Sequence, residues 1–350
     1  MVFDKITILI PTHNRHQYLR RILDYYSDSG MKILVADSSK DQFPQEYLYE
    51  KVEYHHYPDM EYSKKMSTVM KLLSTKYTVV CPDDDFVVKS GIKRCMEFLD
   101  AHPDYASVQG HYVSFMNKNK KVIYGPSNMY TMGMDINQDA PGDRLKPFLV
   151  SYMDVIYSVQ RTESLKEAFY YTEDKIKDYN LLELCTALVI IMNGKHRILP
   201  LFYGVKESIA TSSGNYTIPL YKQAKMKQFK KQYCNFFEIT TKHLAKKSGI
   251  GARAARKKVS EAVSAYINEL NRADNRIRMK CITMVSKLSP KATNIIKNMY
   301  FELKRIKYTR NTKQVPGYPF YDKEAAEDLK EIDKIVKKHN IPSKWKAIMI

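Results

Sequence analysis

No stretch of this chain approaches the ~20 consecutive apolar residues of a membrane-spanning helix, so no such span is expected. Cysteine is scarce: Cys81, Cys95, Cys185, Cys234 and Cys281 are widely spaced and odd in number. That pattern argues against a disulfide scaffold or a zinc site and fits a reducing compartment. Cys81 and Cys185 fall in apolar runs and read as core packing. The opening Met1-Val2-Phe3-Asp4-Lys5 passes straight into a strand without the apolar centre of a signal peptide, which makes a cytoplasmic location the expectation. No internal repeat is visible. No recognisable nucleic-acid module is present either, so no nucleic-acid partner is expected.

What is present is a regular alternation. The strand Ile6-Thr7-Ile8-Leu9-Ile10 runs into Pro11-Thr12-His13-Asn14-Arg15, and Tyr18, Leu19, Ile22, Leu23 and Tyr26 then follow at helical spacing. A second strand, Lys32–Ala36, ends on Asp37-Ser38-Ser39. A third, Val52–Tyr57, precedes a helix from about Glu61 to Leu73. The strand Tyr77-Thr78-Val79-Val80-Cys81-Pro82 then meets Asp83-Asp84-Asp85-Phe86. Strands and helices alternating at this spacing predict βαβ units around a mostly parallel sheet, with the polar strand ends gathered along one edge. Ligands of open α/β sheets bind at that edge.

Three consecutive carboxylates repel one another, and at the mouth of a buried strand they call for a compensating cation. The alternative is a solvated acidic turn. Hard oxygen ligands with open positions suit Mg²⁺ or Mn²⁺, and those ions favour diphosphates.

This order of motifs resembles the nucleotide-diphospho-sugar transferases of GT-A fold, and within them glycosyltransferase family 2 in its bacterial forms. The resemblance covers roughly residues 3 to 210. It rests on Pro11-Thr12-His13-Asn14-Arg15, the strand closing on Asp37, the acid triplet as a DxD motif, and Phe98–Tyr105 running into Val108-Gln109-Gly110. It implies a Rossmann-like mixed, mostly parallel sheet flanked by helices. It also implies that Pro11, Thr12 and Asn14 line a nucleotide pocket, with Arg15 near the phosphates or base. Asp37 would accept a hydrogen bond from the base, and Asp83 would face the ribose or a metal-bound water. Asp84 would lie beside the donor and Asp85 would ligate the metal, giving Asp83 and Asp85 as the metal pair. Lys65, or its neighbour Lys64, would reach the donor, the alternative being an exposed helix face.

An inverting transferase needs a carboxylate to take the acceptor proton. In the family it commonly lies in an acidic pair opening a helix that ends in Gly before a strand. Here Leu182-Glu183 stands in the pair's place, ahead of Asn193-Gly194 and the strand Arg197-Ile198-Leu199. That implies Glu183 as base, with Asp178 in reserve; an exposed polar helix position is the alternative for Glu183. Many members place a His near residues 201–208. This chain has Lys206 there instead, able to neutralise the diphosphate.

Charge divides the chain. Residues 216–350 hold 31 Lys and Arg against 11 Asp and Glu, whereas residues 1–215 hold 26 against 27. Strand signals also vanish after the turn-rich Thr211–Asn215, which reads as a linker with a mobile lid as the alternative, and helices are expected from Leu220 to about Ala245 and over Arg253–Asn271. Two domains follow: a catalytic GT-A domain (1–215) and a basic α-helical domain (216–350). Ser289-Pro290 opens a further basic amphipathic helix carrying Lys297, Lys304, Arg305 and Lys307. Three readings compete for it: a core-packing helix with a solvated basic face, a surface docked on anionic lipid headgroups, and, third for want of a recognisable module, a nucleic-acid surface. Lys323–Ile350 reads as another amphipathic helix and a candidate homodimer contact.

The combined expectation is a metal-assisted, inverting glycosyltransferase using Mn²⁺ or Mg²⁺. It would take a nucleotide-sugar donor and a surface-glycan or lipid-linked acceptor, peripheral at the inner face of the cell membrane. Two alternatives stay open. One is a nucleotidyltransferase on the same fold, whose Gly-rich phosphate loop is missing here. The other is a non-catalytic protein that binds glycan or an anionic surface.

Overall fold

β1 (Ile6–Thr12) is a mostly apolar run interrupted only by Thr7 before Pro11 and Thr12, with Ile6, Ile8, Leu9 and Ile10 wholly buried, as a parallel strand covered on both faces requires. In the computed structural model it pairs in parallel with β2 (Lys32–Asp37) on one side and β4 (Tyr77–Val80) on the other. β3 (Val52–His56) continues the parallel set beyond β2. The structure describes residues 2–44, 47–118, 121–126, 135–207, 218–275 and 323–343. The expected linker at Thr211–Asn215, Cys281 and the expected basic helix after Ser289-Pro290 lie outside the described residues.

Beyond β4 the sheet becomes mixed. Its order is β3-β2-β1-β4-β8-β6-β9-β5, with β7 (Lys121–Pro126) hanging from β6. β8 (Val159–Arg161) runs antiparallel to both β4 and β6 (Tyr105–Lys118). β6 lies parallel to β9 (Lys195–Glu207), and the two-residue β5 (Phe86–Val87) is antiparallel to β9. Because β5 begins just after the acid triplet, pairing it to the end of β9 brings Lys206 and Glu207 back beside Asp83–Asp85. The pairing has no room for a side chain at Gly204. A Cβ there would stand 2.6 Å from the Phe86 carbonyl oxygen and from the Tyr112 ring.

Helices cover the sheet: α1 (His16–Tyr26), α2 (Tyr62–Met70), α3 (Lys89–Ala101), α4 (Pro141–Val150), α5 (Thr162–Thr172) and α6 (Tyr179–Asn193). The expected continuous helix from Leu220 is instead two. α7 (Leu220–Gln223) ends before Met226, whose extended backbone separates it from α8 (Lys230–Ser248). α9 (Ala252–Asn275) follows a left-handed Gly249. α8 packs on α6 and α9 on α4, so Phe236, Leu244 and Val259 share one core with the sheet. The last helix among the described residues, α10 (Lys323–His339), folds back against α1, α3 and β7, burying Ile332 and Val336.

Gly204→Ala should therefore cost about 1–3 kcal/mol by overpacking the β5–β9 pairing. Denaturant unfolding checks this, and a midpoint equal to that of the unmodified protein would mean that the strands part easily here.

Candidate active site

The turn from β1 into α1 is sewn to the end of β2. Asn14 sits at φ 53, a left-handed conformation that asparagine tolerates. Its backbone N–H donates to Ser39 Oγ (2.7 Å), and its side-chain oxygen accepts from the Lys40 N–H (3.2 Å). Pro11 pairs with Ala36 and Thr12 with Asp37. The strand ends are thus held in register, exposing Asn14 and half-exposing Pro11 and Arg15 at the edge.

Asp37 is buried and fully engaged. It accepts from the Ser39 N–H (2.7 Å), Tyr54 Oη (2.7 Å) and His16 Nε2 (3.0 Å). Burial opposes its charge, but these hydrogen bonds outweigh burial and hold the carboxyl below its ordinary range. Lys65 is 2% exposed and does not lie on the open helix face, whereas its neighbour Lys64 does. Its Nζ donates to the Thr12 carbonyl (2.7 Å) and Ser38 Oγ (2.8 Å), bracing β1 against β2. Burial pulls the ammonium down to about 8, partly offset by Asp37 and Asp83.

The acid triplet is buried too. Asp83 accepts from Thr12 Oγ1 (2.6 Å) and faces Arg15 Nη1 (3.3 Å), while Arg15 Nη2 stands 2.7 Å from Asp84. Asp85 accepts from the Glu207 N–H (2.9 Å). Burial pushes Asp83 up to about 7, with Asp84 adding to the rise and Arg15 and Thr12 resisting it. Burial and Asp84 raise Asp85 well above its ordinary value, and Lys206 opposes the rise. Beneath the triplet, Arg21 is wholly buried. It pairs with Glu207 (2.6 Å), donates to the Asp84 carbonyl (2.9 Å), and lies over the rings of Tyr18 and Phe86. Among the described residues no three His, Cys, Asp or Glu side chains converge as a complete cation site. Asp83 and Asp85 could offer hard oxygens to a cation there, a set that the phosphates of a ligand and water would have to complete.

A second acidic cluster lies along the same edge. Glu183, on α6, accepts from Tyr152 Oη (2.9 Å), and burial followed by the adjacent Asp154 pushes its carboxyl up to about 7. Lys206 Nζ sits 3.2 Å from Asp154, over the rings of Tyr157 (4.5 Å) and Tyr112 (4.9 Å). Lys206 therefore stands between the two clusters, lowering the pKa of Asp85 on one side and of Glu183 on the other. Tyr62, Tyr179, Tyr157 and Tyr152 surround Glu183, joined by Tyr266 from α9, which packs on Tyr152 at 5.4 Å. Asp178 stands apart as the N-cap of α6, accepting from the Leu181 N–H (3.0 Å).

Sequence reasoning missed Asp154, Arg21 and Glu207. Arg21 left a signal, since it falls three residues after Tyr18 on the apolar stripe of α1, where a charged residue needs a buried partner. Asp154 left none, because it lies in the turn ahead of β8 and only the fold carries it to Glu183.

Residues 7–168 match the family model described as Glycosyl transferase family 2. Among solved structures, S. aureus TarS 1–349 in complex with UDP-GlcNAc superposes with a TM-score of 0.50 at 14% identity, over 96% of this chain and 90% of that one. Another S. aureus TarS 1–349 structure gives 0.49 at 15%, over 99% and 94%. A longer S. aureus TarS structure gives 0.45 at 14%, and this chain spans 54% of its length. At these identities the likeness concerns the fold. No curated protein matches by sequence.

Asp178→Ala should remove a helix cap, lowering stability by about 1 kcal/mol. Thermal melting would register that loss, and a variant that melts like the unmodified protein would mean the cap contributes nothing.

Proposed function

We propose that this glycosyltransferase, family-2-like over residues 7–168, moves a sugar from a nucleoside-diphosphate donor to an acceptor hydroxyl delivered to Glu183. The observation that carries the reading is the pair of acidic clusters on one sheet edge, Asp83–Asp85 and Asp154–Glu183, with Lys206 between them. A donor lying from Thr12 to Asp85 would place its diphosphate near Arg15 and Lys206. Its anomeric carbon would then point toward Glu183. The UDP-GlcNAc named for the TarS complex makes a UDP-sugar the first donor to try.

Each group has a role in that arrangement. Pro11, Thr12 and Asn14 form the wall against the nucleoside, and Asp37 with Lys65 keeps that wall in register. Asp37 has three hydrogen bonds already, so its contribution to the base is through its remaining lone pair or through His16 and Tyr54. Asp83 and Asp85 would hold Mn²⁺ or Mg²⁺, which when bound offsets charge on the leaving diphosphate. Arg15 and Lys206 stabilise the same developing charge through fixed cations in a partly dry site. Glu183 takes the acceptor proton as its oxygen attacks, and inversion at the anomeric carbon follows from a single displacement. Asp154 beside it supplies the second carboxyl that Leu182 does not.

The tyrosines around Glu183 suit the faces of a sugar or polyol acceptor. We read the acceptor as a surface glycan or a lipid-linked one. The basic excess over residues 216–350 would favour an anionic acceptor or a headgroup surface, with contacts that weaken as salt rises. No helix among the described residues is long and apolar enough to cross a membrane.

A panel of nucleotide sugars with Mn²⁺ tests the reading. The protein should release nucleoside diphosphate from at least one of them, and Asp85→Ala should abolish release while leaving the fold intact. A protein that turns over none of the panel contradicts the reading and favours a binding role.

Glu183→Gln should cut turnover roughly 10²–10⁴-fold with donor affinity little changed. As the base, Glu183 must be ionised, and its carboxyl is raised to about 7. The rate should therefore fall as pH drops through about 7 and level off above it. A flat profile from pH 5 to 8, or a product of retained configuration, removes Glu183 from the role.

A further inference from the structure

The segment after α10 reaches the donor motif from behind. Ser343 Oγ donates to Glu207 Oε1 (2.5 Å), and its backbone N–H donates to the Asn117 carbonyl (3.0 Å). The Asn117 N–H returns a bond to Ser343 Oγ (2.9 Å), and Asn117 Nδ2 donates to the Ile341 carbonyl (2.9 Å). Ile341 is buried against Tyr18, the ring over which both Arg15 (4.6 Å) and Arg21 (5.0 Å) lie. The segment is delivered by a helix clamped at several points. Ser90 donates to Asp328, Lys89 bridges Asp28 and Glu331, and Lys338 and His339 both reach Asp24.

Glu207 is the junction. Its backbone N–H holds Asp85, and one carboxylate oxygen pairs with Arg21, which holds the Asp84 carbonyl. The other oxygen is the one that Ser343 occupies. A buried carboxylate needs its lone pairs filled, and burial already pushes this one up despite Arg21 and Ser343. Removing the hydroxyl leaves one oxygen unfilled, so that the carboxylate is free to turn and its hold on Arg21 loosens.

We infer that Ser343 is a positioning residue for the donor site: through Glu207 and Arg21 it fixes the backbone that presents Asp84 and Asp85. The C-terminal segment is then a latch that makes the donor site dependent on α10 being docked. The inference builds on the donor reading above, but its structural half stands on contacts that do not need a donor.

The test has two arms, both on the full chain. Hydrogen exchange of Ser343→Ala should speed the amides of Asp85 and Glu207 by about tenfold, with the β2 amides unchanged. With UDP-GlcNAc and Mn²⁺, or whichever nucleotide sugar the unmodified protein hydrolyses, donor KM should rise about tenfold while kcat changes far less. Ser343→Thr, which keeps the hydroxyl, should restore both values. Unchanged exchange at Asp85 and Glu207 overturns the latch, and so does a Thr variant as impaired as the Ala variant. If the unmodified protein hydrolyses no nucleotide sugar, the donor reading fails, while the exchange arm still decides whether Ser343 holds the motif.

Discussion

Burying three consecutive carboxylates at the end of a strand is the constraint around which this molecule is arranged. Burial first, and a neighbouring carboxylate after it, drive such groups toward protonation, and both raise Asp83 and Asp85 above the ordinary carboxylate range. The fold answers with cations from two directions. Arg15 comes from the turn after β1 and Arg21 from the inward face of α1, where it is wholly buried. Glu207 then has to be present to satisfy Arg21, which in turn requires β9 to end where it does. A buried ion pair of this kind is weak evidence for stability, but losing either partner strands the other as an uncompensated buried charge.

From that constraint the rest of the edge follows. β5 pairs with the end of β9, so the residue before Glu207 is carried to the space between the two acidic clusters. Lys206 can serve both clusters because it is on a strand and not on a loop, with Tyr112 and Tyr157 beneath its ammonium. The helical part of the chain is tied into the same edge. Tyr266 of α9 reaches the Glu183 side, and Ser343 after α10 reaches the Asp85 side. Both acidic clusters are thus tied to residues beyond 216, the region that carries the excess positive charge.

Much of the fold was legible because parallel strands announce themselves. β1, β2 and β4 are apolar runs that stop abruptly at Thr12, Asp37 and the acid triplet, and the helices between them repeat at the right period. The edge position of these polar ends follows from that alternation alone. The break between α7 and α8 was not legible, since nothing in Lys222–Phe229 is a strong helix breaker and only the extended backbone of Met226 marks it. In the site, residues close in sequence to a strand end could be read, but partners meeting across the fold could not. Asp154 beside Glu183 and Ser343 beside Glu207 are separated by 29 and 136 residues. Lys65 was legible as a residue near the donor edge but not as a buried brace, because its course between β1 and β2 depends on how α2 is seated.

The account's central claim is that the edge from Thr12 to Asp85 is a nucleoside-diphosphate site organised by the buried triplet. Calorimetric titration of UDP into the unmodified protein, with Mn²⁺ and again with chelator, tests it most directly. The account predicts saturable one-to-one binding with the ion present and marked weakening without it. Absence of UDP binding in both conditions would contradict the claim.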